Sequence, residues 1–304
     1  MSELTSTVLG HQELHRQGEN HHHHSHTSHS HHVGGKHLLN VNGLSIGFRM
    51  YDPTESFWRA RPRMSWVIRD LSISVHVGEI VAVVGASGSG KTLLADSIMG
   101  MFESNSEVVG EIYFDGEAQT PELLQELRGK EIAYIPQSVN ALDPLMKVGV
   151  QIGGTFEQRK ELYAQYRLDA SVDGLFPHEL SGGMARRVFL CMARMTQPQL
   201  IVADEPTPGL DLPLAKKALQ DFRDFANGGG GVLLITHDIE LALEVADRIA
   251  VFKDGTVIEE TSVESFSAPE LLEHPFARSL WHALPEHGFE VRAQEEQVSA
   301  EDRG

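Results

Sequence analysis

EIVAVVGASGSGKTLLADSIMGM, residues 79–101, decides the fold. Its first six residues are a short apolar run of the kind a strand buried on both faces requires. Gly85-Ala86-Ser87-Gly88-Ser89-Gly90-Lys91-Thr92 follows, matching the phosphate-binding pattern G-x-x-x-x-G-K-[ST]. Glycines there let the backbone curl so that successive N–H groups face phosphate oxygens. The predicted helix from Lys91 adds its positive end to the same anion. Lys91 can reach the β- and γ-phosphates, and the Thr92 hydroxyl can hold Mg²⁺.

Working outward, the same alternation of strand and helix continues. LLNVNGLSIGF (38–48) and LSISVHV (71–77) read as strands, with a polar, aromatic-rich segment running to Met64 between them. EIYF before Asp115-Gly116, EIAYI (131–135), LIVA (200–203) and VLLI (232–235) are further strand candidates. GGGG (228–231) marks a loop, and IAVFKDGTVIEE (249–260) a hairpin around Asp254-Gly255. Such alternation predicts an α/β protein with a mainly parallel sheet covered on both faces.

Several segments share the chemistry of the phosphate loop. LIVADEPT (200–207) sets Asp204 and Glu205 at the end of a buried strand, where adjacent acids are costly unless a cation or a reaction needs them. Asp204 can bind Mg²⁺ through water, and Glu205 can orient or deprotonate an attacking water. His237 ends another strand and offers a contact to a γ-phosphate. Gln137, just past EIAYI, is placed to sense Mg²⁺ and that water. LSGGM (180–184) is a glycine turn opening a helix, and Cys191 inside that helix reads as a small buried hydrophobe.

Composition narrows the function classes. The 304 residues hold 43 Asp plus Glu against 25 Lys plus Arg, a formal charge of −18, opposite to what phosphate neutralisation along a nucleic acid demands. A single cysteine admits no internal disulfide and points to a reducing compartment. No apolar run is long enough to span a bilayer, so membrane work would require another subunit. Eleven of 17 histidines lie between His11 and His37, and residues 1–37 read as a disordered tail. His21, His22, His23, His24, His26, His29, His31 and His32 could together hold Ni²⁺, since neutral imidazole suits nickel.

The ordered set Gly85–Thr92, Gln137, LSGGM, LIVADEPT, Gly209-Leu210-Asp211 and His237 resembles an ATP-binding-cassette (ABC) ATPase, over roughly residues 38–262. The resemblance implies a RecA-like P-loop core (38–140 and 197–262), a helical subdomain (141–196), an antiparallel β subdomain and a C-terminal extension (263–304). It implies ATP and Mg²⁺ as ligands, with Thr92, Gln137 and Asp204 at the metal and Lys91, Gln137, Glu205 and His237 in catalysis. Ser181, Gly182, Gly183 and Asp211 would complete the ATP site of a second cassette, identical or different. Tyr51 or Trp66 would stack on adenine.

Met184 in place of the commoner glutamine is similar to the oligopeptide, dipeptide and nickel import branch, as are IPQSVNALDPLMKVG (135–149) and HPFARSLWHALPEHGF (274–289). The branch implies two membrane permease subunits, an extracytoplasmic solute-binding protein and a peripheral place on the cytoplasmic face of the membrane. Nickel or a nickel chelate is the cargo the phrases most resemble; peptides are the alternative. A non-transport cassette is a poorer match, because one cassette is present without a long coiled coil between its motifs. A nickel-binding protein with a vestigial nucleotide site is a third class, disfavoured because Lys91, Asp204, Glu205 and His237 are all present.

Overall fold

The computed structural model describes residues 36–51 and 62–284. The histidines at 21–32 and the extension beyond residue 284 lie outside the described residues.

Among the described residues ten strands appear in chain order: β1 (His37–Tyr51), β2 (Pro62–His76), β3 (Ile80–Gly85), β4 (Ser106–Phe114), β5 (Glu117–Gln119), β6 (Ile132–Ile135), β7 (Leu200–Asp204), β8 (Gly231–Ile235), β9 (Arg248–Lys253) and β10 (Thr256–Ser262). The helices are α1 (Lys91–Ile98), α2 (Pro121–Leu127), α3 (Val148–Ile152), α4 (Phe156–Gln165), α5 (Gly182–Thr196), α6 (Leu212–Asn227), α7 (Ile239–Leu243), α8 (Val263–Phe266) and α9 (Pro275–His282). One sheet runs β6-β7-β8-β3-β9-β10, parallel except for its last strand. The other runs β2-β1-β4-β5 and is antiparallel throughout.

β3 shows why its sequence is apolar at every position. Ile80, Ala82 and Val84 enter a core shared with Val188 and Phe189 of α5 and Leu219 and Phe222 of α6. Val81 and Val83 enter a second core with Val41 and Ile46 of β1, Ile73 of β2 and Leu94 of α1. Each fully buried aliphatic side chain contributes about 1.5–3 kcal/mol. The parallel sheet is thus the middle layer, with helices on one face and the antiparallel sheet with α1 on the other.

The hairpin at Asp254-Gly255 forms as the sequence predicts, with φ of 50° and 86° at the two residues. Gly255 has a second reason to be glycine. A Cβ there would lie 2.0 Å from the Val67 carbonyl oxygen, and the Gly255 carbonyl accepts from Arg69 N at 2.9 Å. That contact joins β2 to the β9–β10 edge.

Two readings are corrected. Part of the polar segment assigned to the stretch before Met64 is strand: β1 reaches Tyr51 and β2 begins at Pro62. Trp66 pairs with Gly47, whose missing side chain makes room for the indole, since a Cβ there would stand 3.0 Å from the ring. EIYF is only the end of β4, whose earlier Val108 and Val109 are exposed, so no apolar face announces them.

Residues 139–196 hold no strand and three helices, α3, α4 and α5. Thr155 and Gln158 close a capping box on α4. Arg159 grips Asp173 through Nε at 2.6 Å and a second nitrogen at 3.2 Å, and Tyr163 Oη donates to the same carboxylate at 2.9 Å. After β10, Phe266, Leu272 and Ala277 are buried against the helical side of the core.

Candidate functional site

The site forms where β3, β7 and β8 end, the edge at which parallel sheets present their ligand loops. After β3 the chain turns sharply at Gly85, where a Cβ would fall 2.1 Å from the Phe252 carbonyl oxygen; only glycine fits. Gly88 and Gly90 take positive φ, and Gly90 precedes α1. Lys91 is buried, its Nζ donating to the carbonyls of Gly85 and Ala86 at 2.8 Å each. Burial lowers the Lys91 pKa, and the carboxylates of Glu205 and Asp204 oppose that shift.

Asp204, the last residue of β7, has no exposure, and neither carboxylate oxygen has a hydrogen-bond partner. Burial pushes its pKa up to about 6. The Thr92 hydroxyl is near enough to favour the ionised form but falls outside bonding geometry, because it donates instead to Gln137 Oε1 at 3.2 Å. Glu205 sits at φ 49°, a left-handed conformation costing roughly 1–3 kcal/mol for a non-glycine residue. Its N–H donates to the Ile235 carbonyl at 2.9 Å, and its Oε2 accepts from His237 Nδ1 at 2.8 Å. The imidazole itself is mostly exposed.

An unpartnered buried carboxylate beside a hydroxyl and an amide oxygen is an oxygen donor set, and it fits a hard divalent cation such as Mg²⁺. Lys91, Thr92, Gln137, Asp204, Glu205 and His237 are therefore brought together. Ser181, Gly182, Gly183 and Asp211 form a second group. Ser181 caps α5 by accepting from Met184 N at 3.2 Å, and Asp211 caps α6 by accepting from Leu214 N at 2.9 Å. A Cβ on Gly183 would stand 3.0 Å from the Gly209 carbonyl oxygen, so the two turns touch. Among the described residues none of their hydrogen bonds reaches the phosphate loop.

Of the two adenine candidates, Tyr51 is exposed at the end of β1, while Trp66 is half-buried. Val67, next to Trp66, packs near Gly90. Cys191 is buried in α5 and its thiol is pushed up to about 12 by that burial, which leaves it unreactive.

Sequence reasoning missed Arg186. It is buried in α5 and donates to the carbonyls of Pro136 and Gln137 at 2.8 and 2.9 Å. Its only signal was a basic pair after LSGGM, which does not say which arginine turns inward.

The chain belongs to the ABC transporter family of ATPases, whose pattern matches residues 68–208. The oligopeptide transport ATP-binding protein OppD of Lactococcus lactis subsp. cremoris is 34% identical over 82% of this chain and 76% of its own length. The glutathione import ATP-binding protein GsiA of Salmonella typhimurium is 31% identical over 84% of this chain and 43% of its own. Among solved structures, a post-hydrolysis dimer of an ATP-binding cassette bound to ADP and Pi superposes with a TM-score of 0.64. That likeness covers 74% of this chain and 99% of the other at 24% identity, and shows the shared fold. Among the described residues no helix is long and apolar enough to cross a membrane.

Proposed function

We propose that this chain is the ATP-hydrolysing subunit of an importer and that its cargo class is peptides, the alternative weighed from the sequence. The observation that carries the ATPase site is Asp204, buried with both oxygens unpartnered beside Thr92 and Gln137. For the cargo, support comes from a relative named for oligopeptide transport that matches across most of both chains. The nickel expectation rests on the sequence phrases and on the histidines at 21–32. Neither relative above is named for nickel, and the described residues hold no group of three or more His, Cys, Asp or Glu side chains placed to grip a metal.

In this reading the backbone N–H groups of residues 85–92 and the Lys91 ammonium hold the β- and γ-phosphates of ATP. Asp204, Thr92 and Gln137 hold Mg²⁺, which neutralises phosphate charge when bound. Glu205 accepts a proton from the attacking water, and His237 fixes the carboxylate by donating its Nδ1–H at 2.8 Å; only with a proton on both nitrogens would the ring also donate to the γ-phosphate. Trp66 rather than Tyr51 is taken as the adenine partner, because β2 passes the phosphate loop at Val67, one residue on, and no described contact brings Tyr51 to that loop. Ser181 and Gly183 act on the nucleotide of a facing cassette. Two membrane permease subunits and an extracytoplasmic solute-binding protein complete the importer, with this chain at the cytoplasmic face of the membrane.

Uptake by cells lacking the gene tests the cargo. Labelled oligopeptide uptake should fall and return with the intact gene but not with Lys91→Ala, while nickel uptake stays unchanged. Loss of nickel uptake alone would replace peptides with nickel.

A further inference from the structure

Arg186 is a charged side chain in an expensive place. It is 6% exposed, and its Nε is buried without a partner. Burial lowers its pKa, opposed by the carboxylates of Asp204 and Glu205. An apolar residue of similar volume would avoid that desolvation cost. The arginine instead reaches from α5 to two backbone carbonyls just beyond β6, those of Pro136 and Gln137. Gln137 is exposed, and its described hydrogen bonds are the one its carbonyl accepts from Arg186 and the one its amide oxygen accepts from Thr92. Its neighbour on the helix, Arg187, serves elsewhere: it donates to Gly183 O within α5 and to Arg167 O.

We infer that Arg186 is a positioning residue that fixes the Gln137 backbone to the helix opened by Ser181-Gly182-Gly183, keeping the Gln137 amide oxygen on the Thr92 hydroxyl. This rests on the ATP-site reading above. A fork of two hydrogen bonds from one rigid guanidinium sets both the place and the tilt of the peptide it grips. Movement of α5 therefore displaces Gln137, and loss of the fork loosens the Gln137–Thr92 pair while leaving the hydrogen bonds of Lys91 to Gly85 and Ala86 in place.

The test measures ATP binding by the full-length chain, with Mg²⁺ titrated in and with EDTA. The variants are Arg186→Leu, Arg186→Lys, Gln137→Ala and the Arg186→Leu/Gln137→Ala pair. Arg186→Leu should raise the Mg²⁺ concentration giving half of the affinity gain by roughly tenfold, the scale for residues that orient metal ligands. Affinity in EDTA should stay within about twofold of wild type, since Lys91, which meets phosphate without the metal, has no hydrogen bond to Arg186 or Gln137. Arg186→Lys, which can still donate to one carbonyl, should recover part of the loss. The double variant should need no more Mg²⁺ than Gln137→Ala, because Arg186 acts through Gln137. An unchanged Mg²⁺ midpoint in Arg186→Leu, or additive losses in the pair, overturns the inference. Should Arg186→Leu fail to fold, Arg186→Lys and Arg186→Gln carry the same comparison. Failure of the wild type to bind ATP, or normal binding by Lys91→Ala, would instead overturn the ATP-site reading.

Discussion

Asp204 is fully buried and Asp173 partly so, and the molecule treats the two carboxylates in opposite ways. At the end of β7, Asp204 has no hydrogen-bond partner, and its pKa is pushed up to about 6 by burial. In the helical segment, Asp173 takes two nitrogens from Arg159 and a hydroxyl from Tyr163, and the Arg159 hydrogen bond leads in holding its pKa below the ordinary carboxylate range. Tyr166 and Asp221 repeat the second pattern, joined at 2.8 Å where the helical segment meets α6. One region leaves a carboxylate unsatisfied, at a cost, where the proposed phosphate and cation site lies. The other spends its polar groups on one another and gains order. Asp221, buried and partnered, shows that burial alone does not mark a site acid; Asp204 stands apart because neither of its buried oxygens is paired.

The sharpest way to break this contrast is at Glu205. Glu205→Gln keeps shape and an acceptor for His237 but removes the proposed general base. ATP turnover should drop by about two or more orders of magnitude. Nucleotide binding should survive, and the ATP-bound pair of cassettes should accumulate because repulsion near the γ-phosphate is gone. Near-normal turnover in a steady-state phosphate-release assay would reduce the carboxylate to a structural element. Lys91→Ala should show the opposite split, losing binding itself.

Asp173→Asn probes the satisfied region. It removes the charge from a bidentate grip and should cost about 1.5–3 kcal/mol of stability, the range for hydrogen bonds to charged groups. Because the folded pKa is depressed, the carboxylate's contribution is complete above its unfolded value and fades as pH falls through the folded one. Wild type and variant should therefore differ fully at pH 7 and converge below about pH 4. Urea melts at the two pH values check this, and a gap that persists in acid would assign the cost to packing instead.

The phosphate loop, Asp204, Glu205 and His237 were legible because each belongs to a short pattern at a strand end. Buried strands also announce themselves: β3, β7 and β8 are apolar at nearly every position. The start of β2 was not legible, since Trp66 is accommodated by the glycine at position 47 on a neighbouring strand, a fact no local window contains. Nor were the long-range ties. Arg186 to Pro136 and Tyr166 to Asp221 join residues 50 and 55 positions apart, and an arginine or a tyrosine looks the same in sequence whether it turns inward or out. The cargo reading followed phrases and a tail, both remote from the chemistry, which is why nickel could not be derived from the site residues.

The smallest expected effect comes from the edge of the helical segment. Arg167 pairs with Asp211 at 3.0 Å, but both side chains are 58% exposed, where such a pair contributes about 0–1 kcal/mol. Arg167 also holds φ at 54°, a left-handed conformation that costs a non-glycine residue about 1–2 kcal/mol. Arg167→Gly removes the pair and relieves the strain, while glycine adds about 0.5–1 kcal/mol of unfolded-state entropy. The terms nearly cancel, so stability should change by less than about 1 kcal/mol, well short of the Asp173 effect. Its carbonyl still receives Arg187, because that bond uses backbone and not the lost side chain. A large loss in the glycine variant would show that the exposed pair to Asp211 holds α6 in place, and would move this corner from the weakly tied to the tightly tied part of the segment.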